Sequence, residues 1–160
     1  MLKALLLTTD ILPRLIPRSG FTLVEMLTVM AIVGTLAGLA LPKYGTTVEQ
    51  ARVAEAIGDL QAIQTDLLSA DSLPDDLGGI GRAGMVDPWG NSYQYLKFPP
   101  NRRVPQGARR DRFLVPINST FDLYSTGKDG QSAAPLTARS SLDDVIRGND
   151  GGFFGLASKF

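Results

Sequence analysis

The sequence predicts an α+β chain: one long N-terminal helix, membrane-spanning in its first half and amphipathic in its second, packed on a small antiparallel sheet head. Three observations carry that expectation. Phe21 to Leu41 is a 21-residue stretch whose only charge is Glu25, roughly 31 Å long as a helix and enough to cross a hydrocarbon core of about 30 Å. Val53, Ile57, Leu60, Ile63, Leu67 and Leu68 then recur at three- and four-residue spacing, the period of a one-sided helix. Beyond Ser72, Gly- and Pro-rich punctuation gives way to short runs with strand character.

Residues 1–20 precede the apolar run and read as a leader. An ordinary secretory signal has an apolar region of about 7 to 15 residues followed by small residues at the cut. Here Leu5-Leu6-Leu7 is short, and Asp10, Arg14 and Arg18 follow it. Lys3, Arg14 and Arg18 hold the N-terminus in the cytoplasm under the positive-inside rule, as they would for a plain single-span anchor. Such an anchor explains the span but not Glu25, because an ionisable group in a membrane span is costly and usually has a partner. Gly34 and Gly38 form a G-x-x-x-G pair, a weak signal because glycine is frequent in membrane helices anyway.

After the span, Pro42 interrupts the pattern and is expected to kink the helix or break its hydrogen bonding locally. The helical period resumes and runs to about Ala70, with Glu49, Arg52, Glu55, Asp59 and Asp66 largely off the apolar stripe. That stripe covers only about two heptads, too few for a coiled coil. Gly79-Ile80-Gly81-Arg82-Ala83-Gly84 matches G-x-G-x-x-G. It is rejected as a dinucleotide site because no strand precedes it and Asp87-Pro88 stands where a helix should start. The turn Asp87-Pro88-Trp89-Gly90-Asn91 leads into Tyr93 to Phe98, whose alternation predicts a strand with Tyr93, Tyr95 and Lys97 on one face; Phe113 to Ile117 and Phe121 to Ser125 are two further strand candidates.

Sixteen basic and 16 acidic residues give zero net charge, so the overall balance points to neither nucleic acid nor an acidic partner. Cysteine and histidine are both absent. No disulfide can brace a head of fewer than 90 residues, and a domain this small often needs another staple. The same absence removes the Cys nucleophile, the Ser-His pair and the usual zinc ligands. No catalytic constellation remains, which argues against an anchored enzyme.

Arg18-Ser19-Gly20-Phe21-Thr22-Leu23-Val24-Glu25 resembles the processing site of type IV pilins and their secretion-system relatives, the pseudopilins. The resemblance implies cleavage after Gly20 by a prepilin peptidase and methylation of the amine of Phe21. Glu25 is then expected to pair with the amine of Phe21 on an adjacent subunit during assembly. Asp87 to Tyr95 and Phe121 to Gly130 look, in order, like the head of the major pseudopilin of type II secretion. That implies a short three-stranded sheet and a calcium site in the loop after the last strand. The implied ligands are the carboxylates of Asp129, Asp143 and Asp144 with the backbone carbonyl of Thr126, and Asp150 as a substitute if the register shifts. Calcium takes six to eight oxygens, which Asp- and Gly-rich loops supply; the Asp129-Gly130 turn does not fit the EF-hand pattern.

The expected organisation is a cleaved leader at 1–20, a membrane and filament-core helix at 21–41, an amphipathic helix at 42–72, and a head at 73–160 with an arginine-rich insertion at 99–112 and a calcium-type loop at 126–150. The resemblance implies a homopolymer drawn from the inner membrane, single-pass, with its N-terminus cytoplasmic and head periplasmic. Minor pseudopilins, an inner-membrane assembly platform and its ATPase are the implied partners. A type IV pilus used in adhesion, motility or DNA uptake would share this assembly chemistry. The insertion carries Arg102, Arg103, Arg109, Arg110 and Arg112 against the single acid Asp111. Such a cluster can bind phosphate or lipid headgroups. Aromatics are not interleaved with it, which favours a solvated surface loop and argues against nucleic acid as a partner. Phe153, Phe154, Leu156 and Phe160 are expected to cover the sheet or a neighbouring subunit.

Overall fold

The structure is a computed structural model that describes residues 20–101 and 103–160; the expected leader before Gly20 lies outside the described residues. Helix α1 spans Leu23–Ser69. The chain divides into two compact units, the first ending at Pro42 and the second running Lys43–Phe160. In the first, the apolar helical residues from Leu23 to Leu41 are turned outward, and none of the most apolar window, mean hydropathy 2.0, is buried by the rest of the chain. This helix is the one among the described residues long and apolar enough to cross a membrane.

The second unit is built on the later part of α1. Ala56, Leu60, Ile63 and Leu67 are buried on one face, with Val53 and Ile57 packed beside them. This is the face the three- and four-residue spacing predicts. Leu68 departs from it, being 61% exposed, because adjacent residues on a helix point about 100° apart and Leu67 takes the inward position.

Four strands follow: β1 (Gln94–Lys97), β2 (Phe121–Ser125), β3 (Val145–Gly148) and β4 (Phe153–Leu156). They form one antiparallel sheet in the order β1-β2-β3-β4. Two of the expected strands are present, shortened at the first, and the sheet has one strand more than the resemblance implies. Phe113 to Ile117 is not a strand. Phe113 is fully exposed, Leu114 and Val115 are also outward, and Pro116 cannot donate to a ladder. The apolar C-terminal segment supplies β4 instead.

Alternation along the strands divides the core in two. Phe121, Leu123 and Val145 face α1 together with Tyr93. Ile146 faces the opposite way and joins Ile117, Leu136 and Ala157, with Tyr124, Phe153 and Phe160 packed against them. The sheet is therefore covered on both faces, by the helix on one and by loops on the other. Gly148 belongs to the loop-covered face, where a Cβ would drive into the Phe160 ring.

Polar residues beside the helical stripe tie α1 to the head loops. Trp89 Nε1 donates to Glu49 at 2.9 Å, Tyr93 Oη to Asp59 at 2.7 Å, and Arg82 Nε to Asp66 at 2.6 Å. Arg147 is buried on the helix-facing side of β3. Its guanidinium donates to Gln64 of α1 and to the Phe121 carbonyl, and it stacks 4.0 Å from the Phe121 ring centroid.

Candidate functional site

At the start of α1 the chain closes a capping box. The Thr22 hydroxyl accepts from the Glu25 backbone N–H at 3.2 Å, while the Glu25 carboxylate accepts from the Thr22 N–H at 3.1 Å and its hydroxyl at 3.0 Å. Thr-x-x-Glu ahead of an apolar run is the sequence signature of this arrangement. It was legible in the sequence but is not part of the processing-site reading. Gly20 and Phe21 lie just ahead of the cap and are exposed, Phe21 to 80%. Glu25 thus has a local partner within its own chain.

In the head, the two segments named for metal binding meet just beyond the end of β2. Gly127 adopts φ +65°, and a Cβ there would collide with the backbone carbonyl of Asp143. The Asp129 N–H donates to the Asp143 carboxylate at 3.0 Å, and the Asp129 carboxylate accepts from the Gln131 N–H at 2.8 Å. Asn91 anchors the same loop by donating to the Gly127 carbonyl at 2.8 Å. The Asp87 carboxylate accepts from the N–H groups of Trp89 and Asn91 and from the Ser125 hydroxyl. The two segments that carry the head resemblance are therefore stitched together.

Asp144, immediately before β3, is in different surroundings. It is fully buried and forms an ion pair with Arg109. The Ser132 hydroxyl accepts from Arg109 Nη1 and donates to the same Asp144 oxygen, Oδ2. Arg109 Nη1 also donates to the Ala133 carbonyl at 2.7 Å, and the guanidinium lies 4.3 Å from the Tyr124 ring centroid. Burial raises the Asp144 carboxyl to about 6, opposed by the Ser132 hydrogen bond and then by the Arg109 charge.

Arg109 corrects the reading of 99–112 as a solvated loop. Arg103, Arg110 and Arg112 are exposed as expected, but Arg109 is only 2% exposed and Ala108 is buried beside it. The cause is backbone pairing: the Arg109 N–H donates to Asp122 at 2.6 Å, Ile117 N–H to the Arg109 carbonyl at 3.0 Å, and Arg110 N–H to the Ala134 carbonyl at 3.0 Å. Burial raises the Asp122 carboxyl, and hydrogen bonds from Asn118 and Arg109 pull it back.

Asp150 is placed beyond the far end of β3 from Asp144. Its carboxylate accepts from the Ser119 N–H at 2.8 Å and hydroxyl at 2.6 Å, with Arg147 Nη1 at 3.7 Å. It is not brought to Asp129 and Asp143. Among the described residues no three His, Cys, Asp or Glu side chains gather as a metal-holding cluster. Calcium needs several oxygens free to converge, and here the expected carboxylates divide among three surroundings. The residues present, as arranged, do not fit the ion.

Together, an outward-facing apolar helix with a capped Phe-Thr-Leu-Val-Glu start and a small antiparallel head define a pilin-type subunit. Residues 17–41 match the prokaryotic N-terminal methylation motif. The type II secretion system core protein G of Pseudomonas aeruginosa is 33% identical over 139 residues, covering 71% of this chain and 86% of that protein. Its counterpart in Vibrio cholerae is 27% identical over 144 residues, covering 75% and 87%. The type IV major pilin protein PilE of Neisseria gonorrhoeae is 40% identical over 147 residues, covering 84% and 87%. The chain belongs to the family of type IV pilins and type II secretion pseudopilins. No solved structure is a significant match to it.

Proposed function

We propose that this chain is a structural subunit of a periplasmic pseudopilus that serves type II protein secretion. It enters the inner membrane with its N-terminus in the cytoplasm and its head in the periplasm. A prepilin peptidase cuts after Gly20 and the amine of Phe21 is methylated. An assembly platform and its ATPase then draw subunits into a homopolymer, with minor pseudopilins as further components. The observation that carries this reading is that core protein G relatives from two species align over 86% and 87% of their own length, head included. The buried polar side chains Asp87, Asp122, Asp144 and Arg147 each make hydrogen bonds within the fold.

Glu25 supplies the assembly chemistry. A lone carboxylate costs about 2.5 to 3.5 kcal/mol at a span centre and less near the interface. In the free chain Thr22 shares its hydrogen bonds. Cleavage creates a positively charged amine at Phe21, and the same amine on a neighbouring subunit neutralises the carboxylate once the subunits associate, favouring the assembled state.

The gonococcal relative supports a second reading, a type IV pilin used in adhesion, motility or DNA uptake. Deleting the gene in its own host separates the two. Loss of extracellular enzyme activity with surface pili and motility intact supports secretion; loss of pili with secretion intact replaces it with the pilus reading.

A further inference from the structure

Beside Asp144 a buried cation is already part of the chain, the guanidinium of Arg109. We propose that the Arg109 guanidinium does the stapling for which a divalent ion would otherwise be needed, so that the C-terminal third of the head holds its fold independently of calcium. Asp144 is one of the carboxylates the resemblance assigns to a metal, yet its Oδ2 is committed to Arg109 and Ser132. Its Oδ1 is buried without a protein partner, as is Arg109 Nε. The two oxygens of one carboxylate are so close that a divalent ion on Oδ1 would sit beside the guanidinium. Like charges at that separation in a low-dielectric pocket repel strongly.

The guanidinium also does what a bound ion does for a loop. From one point it holds Asp144 ahead of β3, Ser132 and Ala133 in the long connection, and the face of Tyr124 on β2. Its own backbone is fixed by Asp122 and Ile117, so the charge is delivered by a braced segment. A planar, permanently charged group with several donors suits such a buried multi-point contact. The remaining carboxylates, Asp129 and Asp143, are left with backbone N–H groups as partners.

The test uses the full mature chain in detergent micelles, with the fluorescence of its single tryptophan, Trp89, reporting unfolding. The parent is expected to melt at the same temperature, and to be cut at the same rate between Gly127 and Ser141, in calcium and in chelator, with no calcium-binding heat by calorimetry. Arg109→Met is expected to melt lower and to be cut at least about tenfold faster, because it leaves Asp144 buried and unpaired. The double variant Arg109→Met with Asp144→Leu removes both charges and is expected to recover most of that loss, which keeps the test decisive if the single variant fails to fold. A parent that loses stability on chelation and regains it with calcium overturns the proposal, as does an Arg109→Met protein that behaves like the parent.

Discussion

Glu25 has one observed role and one proposed role, which a single substitution would confuse. It closes a capping box with Thr22, and in the proposed assembly its charge meets the amine of a neighbouring Phe21. Glutamine serves a capping box as well as glutamate does, so Glu25→Gln separates the roles. Glu25→Gln is expected to be cleaved and inserted like the parent and to keep its helix start, yet to form no filaments by electron microscopy. Glu25→Ala should lose filaments too, and in addition weaken the helix start by removing the carboxylate that accepts from Thr22. Normal filaments from the glutamine variant would make the charge dispensable. The processing expectation is read by intact mass: the mature chain should begin at Phe21 and carry a methylated amine, and a start at any other residue would remove the basis for the amine partner.

At the scale of elements, α1 can be checked by two leucines one residue apart. Leu60 and Leu67 are buried against the sheet while Leu68 is not. Leu67→Ala is expected to cost about 2 to 5 kcal/mol, and Leu68→Ala to stay within about 0.5 kcal/mol in the monomer, both measured by thermal or denaturant unfolding. Equal losses would mean the face is misassigned. Gly127→Ala is expected to destabilise by more than about 1 kcal/mol, since the site combines a positive φ with the Asp143 carbonyl where the methyl would go. The helix was legible because its period repeats over several turns. Strand β3 was not, because Val145 to Gly148 is buried on both sides and shows neither alternation nor length. Strand β4 contains Gly155 and read as an apolar tail. Phe113 to Ile117 shows the converse error, since apolar, β-branched composition says nothing about whether a ladder partner exists.

Across the whole molecule, the N-terminal methylation motif was legible because it is written in adjacent residues, while the head's polar architecture was not. Arg109 and Asp144 are 35 positions apart, and composition alone cannot distinguish the one arginine of a cluster that turns inward. The two faces of the sheet were half legible: the helix announces the core on its own side, but the loop-covered side draws on Ile117, Leu136, Ile146 and Ala157 from four separate segments. The strand order has a further consequence for biogenesis. Each strand of β1-β2-β3-β4 pairs with its neighbour in sequence, so no strand must wait to be inserted between two that are already paired. Such a meander can be laid down vectorially as the polypeptide elongates, the β3–β4 connection closing a short loop and the β1–β2 and β2–β3 connections, residues 98–120 and 126–144, closing long ones. With no cysteine to oxidise, maturation needs no thiol oxidoreductase. A host stripped of its disulfide-forming enzymes should therefore accumulate as much protease-resistant head as its parent, which pulse-chase proteolysis would measure, and the subunit would remain available under anaerobic or reducing stress that halts the folding of disulfide-dependent exported proteins.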